Sequence, residues 1–360
     1  MPAKKTLSFV IPCRDEEETI ADCIAAIRKS ALKYKYEIIV VDNHSRDKSA
    51  GIARKLGAKV VFEKKEGYGS ALLSGFSKAR GDIIVMADAD GTYDFSEFQA
   101  LVSKLSHSDI VLGSRIKGDI KPGAMPFIRR YIGNPVLSGI LNVFFNSKIS
   151  DPQTGFRAFR KKAIEKLSLR TTGMEFASEM LINAIKHDLR ISEVPIHYYP
   201  RKTQSKLKPV SDGWRHLRFM LMYSPTYLFM IPGALILLFG LFLVFSYLIK
   251  PLNASSGVVG SLLSILGYQI INIGLYAKTY AIISGFTPND PVIDFVARNF
   301  PLEKTIMIGL SIFAASLAAG LYAVKINSAS VPIVALTFLI LGIQTIFSGF
   351  FLSIMLVEKK

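Results

Sequence analysis

"DIIVMADADGTYD", residues 82–94, runs four apolar residues (Ile83, Ile84, Val85, Met86) straight into three carboxylates, Asp88, Asp90 and Asp94. A short unbroken apolar run closed by a turn reads as a strand buried on both faces. The carboxylates then mark the point where the chain leaves the core. Upstream, Leu7–Ile11, Glu37–Val41 and Lys59–Phe62 read as further strands. Between them lie expected helices over Asp15–Ser30, Ser49–Leu56 and Ser70–Ala79, the first with Ile20, Cys23, Ile24 and Ile27 at helical spacing. Strand and helix alternate through short connections, which predicts an α/β domain of parallel strands with helices on both faces. Ligands of such sheets bind at the carboxyl ends of the strands. "IPCRDEE" (11–17), "VVDNHSRD" (40–47) and "MADADGTYD" (86–94) all begin there, so three acidic clusters meet on one edge. Beyond them, Asp109–Gly113 and Ile191–Pro195 read as strands, 161–167 and 175–187 as helices, and Gly118–Gly123 as a loop.

The second half is a different material. Of 360 residues 50% are apolar, and that apolarity concentrates after residue 226. Four stretches, about 227–249, 257–283, 304–326 and 331–357, exceed the roughly 18–20 residues that cross a hydrocarbon core of about 30 Å. Lys278 is the one charge inside them; Lys304 and Lys325 sit at ends that can snorkel. Buried helices of a soluble core fit runs of about ten to fourteen residues better. Four membrane helices are therefore expected. "DGWRHLRFMLMYSP" (212–225) interleaves Trp214, Leu217, Phe219 and Leu221 with Arg215, His216 and Arg218, the pattern of a helix lying at the membrane interface. The expected organisation is a catalytic domain over 1–210, an interfacial helix over 211–226 and a membrane domain over 227–357.

The formal charge is +16, and only seven of the 44 Lys and Arg and four of the 28 acids lie beyond residue 226. An even number of spans returns Glu358-Lys359-Lys360 to the side of the basic first part, which the positive-inside rule makes cytoplasmic. Lys4-Lys5 is followed only by Leu7–Ile11, too short an apolar run for a signal peptide. A basic surface suits anionic headgroups, phosphorylated substrates or nucleic acid; no recognised nucleic-acid module accompanies the charge. Cys13 and Cys23, without CxxC or Cys/His clustering, support neither a disulfide framework nor zinc.

Two carboxylates two residues apart at a strand end can both reach a hard divalent ion, which keeps its other positions for water and substrate phosphates. A sugar nucleotide would use Asp88 and Asp90 in this way, a Mg2+ or Mn2+ ion neutralising charge on the departing diphosphate. Asp42 could hold base or ribose, or simply make an Asx turn. "EGYGSALLSG" (66–75) lacks the G-x-G-x-x-G spacing of a dinucleotide loop, although a glycine turn at Gly67 can approach phosphate or ribose. No histidine stands as an obvious general base.

Taken in order, "IPCRDEE", "VVDNHSRDKS", "EGYGSALLSGF", "ADADGTYD", "VLGSR", "DPQTGFRAF" and "EVPIHYYPRKTQSKL" resemble family 2 glycosyltransferases of the polyprenyl-phosphate sugar synthase type, including dolichol-phosphate mannose synthase. The resemblance spans about residues 7–222, and the four spans are similar to those of multi-span members. It implies a GT-A nucleotide-diphospho-sugar transferase domain followed by transmembrane helices, and inverting transfer of a hexose to a dolichyl or undecaprenyl phosphate. By the same resemblance Pro12, Arg14 and Glu16 contact nucleotide, Asp42 binds the base, and Asp88 and Asp90 bind metal with Ala89 between them against the nucleotide. Asn43 replaces the usual second Asp, and Thr92 stands where related synthases have Gln. Arg115, Arg130, Arg201 and Lys206 resemble an acceptor-phosphate clamp, which Arg157 joins or braces, with Asp151 fixing the loop of Arg157. Glu179 falls on a helix face. "DGTYD" and "PGAMPFIRRYIGNPVLSG" resemble glucosyl-type members, favouring UDP-glucose over GDP-mannose. Two rivals are a processive polysaccharide synthase, whose Gln-x-x-Arg-Trp is missing here, and a non-catalytic lipid-binding membrane scaffold. The spans hold lipid near the site or assemble with copies of themselves; small-residue patterns do not decide.

Overall fold

The computed structural model describes residues 6–202, 209–249, 254–284, 289–326, 328 and 330–357. It divides between Tyr223 and Ser224 into two compact units.

In the first unit the order is β1 (Thr6–Cys13), α1 (Ile20–Ser30), β2 (Lys35–Asp42), α2 (Ser49–Lys55), β3 (Lys59–Phe62), α3 (Tyr68–Lys78), β4 (Ile83–Met86), α4 (Phe98–Lys104), β5 (Ile110–Ile120), α5 (Asn134–Phe145), β6 (Arg157–Arg160), α6 (Lys161–Lys166), α7 (Phe176–Lys186), β7 (Ile191–Tyr198) and α8 (Pro209–Tyr223). One seven-stranded sheet results, ordered β3-β2-β1-β4-β6-β5-β7. Strand alternation explains the layering: Leu7, Phe9 and Ile11 of β1 face the core under α1 and α4, while Val10 faces the core under α3 and α7. Ile20, Cys23, Ile24 and Ile27, at the expected spacing, are the buried face of α1.

The sheet is not parallel throughout. β6 runs antiparallel to both β4 and β5, pairing Arg157 with Met86 on one side and with Leu112 on the other. Its four residues, "RAFR", begin and end with arginine, so neither length nor apolarity announces a strand. β5 is also longer than its apolar start, and pairs β7 in parallel with a register shift between Ser114 and Asp119. The helices α4 and α5 escape the sequence pattern as well; α5 and the turn before it leave Phe127, Ile128, Tyr131, Ile132, Val136 and Val143 exposed, which masks amphipathic spacing. In α8, Phe219 and Met220 are buried in the core of the first unit while Trp214 is exposed.

The second unit holds α9 (Ile231–Ile249), α10 (Ala254–Ile283), α11 (Pro291–Asn299), α12 (Leu302–Lys325) and α13 (Val331–Val357). Four helices, Thr226–Ile249, Ser255–Ile283, Leu302–Lys325 and Val331–Leu356, are long and apolar enough to cross a membrane. Glycines knit them into hairpins: Gly233 and Gly240 of α9 lie against Gly267, Gly260 and Ser264 of α10, and Gly309 of α12 lies against Gly342 of α13. Among the described residues, hydrogen bonds joining the hairpins include Thr337 Oγ1 to Ser261 Oγ at 2.8 Å, Tyr268 with Thr345 at 2.7 Å, and Ser348 Oγ to Asn272 Oδ1 at 2.6 Å. Residue numbers rise together along this seam, so α10 and α13 run parallel. Lys278, buried in α10, pairs with Asp290 at 2.5 Å, and Asp290 caps α11 by accepting from Val292 N at 2.9 Å.

Two glycines should respond oppositely to alanine. A Cβ on Gly75 would strike Val10 and Val41, the strands on which α3 rests, whereas at Gly51, inside α2, nothing lies within 4 Å. Thermal unfolding should show Gly75→Ala losing about 1–3 kcal/mol and Gly51→Ala gaining about 0.4–1 kcal/mol.

Candidate active site

Three strand ends build the site. β1 ends at Cys13 and delivers Arg14 and Glu16; β2 ends at Asp42; and β4, hydrogen-bonded beside β1, delivers Asp88 and Asp90. Gly91, at φ +73°, turns the chain away after the second carboxylate. Each of the pair is oriented by a hydroxyl. Asp88 Oδ1 accepts from Tyr68 OH at 3.0 Å. Asp90 Oδ1 accepts from Thr92 N at 3.1 Å and Thr92 Oγ1 at 2.6 Å. The other oxygen of Asp90, Oδ2, faces Arg201 Nη1 at 3.6 Å, and Arg201 Nη2 donates to Glu16 Oε1. Burial, and then repulsion from Asp90, push Asp88 up to about 6.

Thr92 therefore holds Asp90 from within the protein, 1% exposed. Among the described residues no three His, Cys, Asp or Glu side chains gather as a metal cage. Two carboxylates without a third protein ligand do not fit zinc; they fit Mg2+ or Mn2+, which takes its remaining oxygens from phosphate and water.

The other expected residues divide. Pro12 lies half-buried at the end of β1 opposite Val41, and the exposed Arg14 pairs with Glu66 at 2.5 Å. Asp42 is buried and accepts from Ser45 N at 3.1 Å, the turn its sequence allowed. Asn43 explains its departure from Asp: Nδ2 donates to Lys65 O at 2.9 Å and Glu63 O at 3.3 Å, while Oδ1 accepts from Gly67 N at 2.8 Å. An aspartate has no donor for those carbonyls. Ala89, between the two carboxylates, has its side chain 2% exposed in the core under α1, with its carbonyl accepting from Thr19 Oγ1 at 2.7 Å. Gly67 has a packing requirement of its own, since a side chain there would meet the carbonyl of Thr172.

The arginines divide further. Arg115, 1% exposed, is not open to an acceptor: Nε and Nη2 each bond Asp151 at 2.7 Å, its backbone N bonds the same carboxylate at 3.0 Å, and its guanidinium lies 5.1 Å from the Tyr198 ring. Burial alone would raise the Asp151 pKa, but the guanidinium overcomes it and holds the carboxyl below its usual range. Asp151 thus fixes Arg115 rather than Arg157. Arg157 is buried among carbonyls, donating to Thr154 O at 2.9 Å, Ala177 O at 3.1 Å and Pro152 O at 2.7 Å, and burial lowers its pKa. Arg130 is half-buried on the turn before α5, its guanidinium 5.3 Å from the Tyr131 ring. Lys206 lies outside the described residues. Tyr68 stands in "EGYGS" between glycines that signal a turn, and no local spacing signals the hydroxyl it places beside Asp88.

A GT-A sheet with paired strand-end carboxylates, carried by a chain with four apolar spans, defines a membrane glycosyltransferase. Comparison with known proteins agrees: the family described as "Glycosyl transferase family 2" matches residues 8–168, and "Glycosyltransferase family 2 C-terminal transmembrane region" matches 275–356. The low-salt glycan biosynthesis hexosyltransferase Agl6 of Haloferax volcanii is 37% identical over 97% of this chain and 88% of the relative. The dolichol-phosphate mannosyltransferase of Pyrococcus furiosus is 31% identical over 59% of this chain and 62% of its own length. Glucosyl-3-phosphoglycerate synthase from Mycobacterium tuberculosis, solved with Mn2+, uridine diphosphate and glucosyl-3-phosphoglycerate, is similar in fold, with TM-score 0.51 and 22% identity over 61% of this chain and 80% of that one. The chain belongs to glycosyltransferase family 2.

Breaking the Arg115–Asp151 pair should be costly because it strands a buried charge. Asp151→Asn should lower stability by about 3–5 kcal/mol, measured by thermal unfolding, and replacing both partners with apolar residues should recover part of that loss.

Proposed function

We propose that this glycosyltransferase moves a hexose from a nucleotide-diphosphate sugar to a polyprenyl (dolichyl or undecaprenyl) phosphate, with inversion, on the cytoplasmic face of a membrane. UDP-glucose is the favoured donor and GDP-mannose the second. The observation that carries the reading is Arg201, whose guanidinium spans Glu16 and Asp90 and so sets a permanent cation beside the carboxylate pair. Donor diphosphate and acceptor phosphate are both anions, and the reaction needs them close together.

Asp88 and Asp90 would hold a Mg2+ or Mn2+ ion, which supplies charge neutralisation to the diphosphate as it leaves. Asp42, with Pro12, Arg14, Glu16 and the turn at Gly67, borders the place of the nucleotide. Arg201 holds the acceptor phosphate, with Arg130 and Lys206 as further cations; Arg115 and Asp151 stiffen the wall behind. The phosphate dianion attacks the anomeric carbon directly, so positioning replaces a general base. A lipid acceptor is supported by the relatives, by the four spans, and by exposed Phe127, Ile128, Tyr131 and Ile132 beside Arg129 and Arg130, a composition suited to anionic headgroups. The basic charge of the first 226 residues supports a cytoplasmic face.

Purified protein offered radiolabelled UDP-glucose or GDP-mannose with a short polyprenyl phosphate should form a chloroform-soluble sugar lipid. Chelator should abolish it, and Asp90→Ala should reduce it at least about 100-fold; no product from either donor would overturn the donor assignment. Acid should act through Asp88. Its raised pKa means that only above about 6 is it the carboxylate a cation needs. By linkage the folded state takes up this proton more readily than the unfolded one, so Asp88 does not destabilise the fold as pH falls toward 4. Mn2+-dependent UDP binding should therefore be about tenfold weaker at pH 5 than at pH 7, with the fold retained.

A further inference from the structure

The turn "EGYGS", residues 66–70, is gripped from two sides. Asn43 Oδ1 accepts from Gly67 N at 2.8 Å. On the other side the carbonyl of Thr172 accepts from Ser70 N at 3.3 Å. The two glycines exist for that grip: a Cβ on Gly67, already at φ +136°, would strike the Thr172 carbonyl, and one on Gly69 would strike the carbonyl of Thr171 and the Phe176 ring. Residues 170–172 are themselves tied down by the fully buried Glu179 of α7, which accepts from Arg170 N at 2.9 Å, Thr171 N at 2.9 Å and Thr171 Oγ1 at 2.6 Å. Tyr68 is held between these fixed points with its hydroxyl 3.0 Å from Asp88 Oδ1. On the far side of Asp88, Gly155 leaves room that a side chain would take from Oδ2.

We propose that Tyr68 is a positioning residue for the nucleotide–metal site: its hydroxyl fixes the rotamer of Asp88, and the buried carboxylate of Glu179, through residues 170–172 and the Gly67–Gly69 turn, fixes Tyr68. The inference rests on the reading of Asp88 as a ligand of the divalent ion. A tyrosine hydroxyl is a neutral donor, so it can occupy one carboxylate oxygen without adding a charge that competes with the cation. Partners of this kind orient ligands and typically change metal affinity by about 10–100-fold when lost. Glu179 acts at one remove, and its effect is correspondingly smaller.

Calorimetric titration of UDP into the full-length protein in detergent, over a range of Mn2+ concentrations, tests this. Tyr68→Phe keeps the ring and removes only the hydroxyl. It should raise the Mn2+ concentration for half-maximal UDP binding about tenfold, with the unfolding temperature unchanged within about 2 °C. Glu179→Gln should shift the requirement in the same direction by a smaller factor. Wild-type Mn2+ dependence preserved in Tyr68→Phe would overturn the inference and leave the metal reading standing. UDP binding by the wild type that ignores Mn2+ would overturn both.

Discussion

Two carboxylates two residues apart repel each other, and withdrawing them from water strengthens the repulsion. Asp88 and Asp90 meet that condition at the end of β4, and the surrounding chain is arranged to tolerate it. Hydroxyls of Tyr68 and Thr92 take one oxygen of each. β1, paired in parallel with β4, adds Glu16 nearby, and Arg201 bridges Glu16 to Asp90. The residual cost appears as the raised pKa of Asp88. A site that concentrates negative charge in this way retains a standing affinity for cations, and the glycosyl-transfer reading uses that affinity.

Compensation also reaches the interior. Arg115 and Arg157 are among the largest fully buried side chains, yet they are accommodated differently. Arg115 has a carboxylate of its own. Arg157 meets three carbonyls instead, and its place follows from β6, which inserts between β4 and β5 and sets Arg157 beside Met86, two residues before Asp88. The antiparallel strand thus brings a positive charge behind the acidic edge. Burying it would be prohibitive without the carbonyl dipoles that surround it.

The alternation from β1 to β4 was legible in the sequence because each strand is apolar on both faces and α1 and α3 are apolar on one. The spans were legible from length alone, and the carboxylates from their position after a strand. The roles of the arginines were not. Arg115 and Arg201 carry the same charge in similar basic motifs, and only the partner of Arg115, 36 residues away, separates a structural guanidinium from a site-facing one. α5 was hidden because its outward face is apolar, which inverts the rule for a water-facing helix. Tyr68 was hidden because a hydroxyl aimed at Asp88 is a fact of three dimensions; nothing in local spacing encodes it.

The seam between α10 and α13 has a topological consequence. Helices that run parallel and follow one another as second and fourth spans require the chain to return each time to the side from which it set out. Four such spans bring the end of α13 back to the side on which α9 begins. Reporter proteins fused at those two places would fluoresce or be cleaved together, and a partner that recognises both need not cross the bilayer.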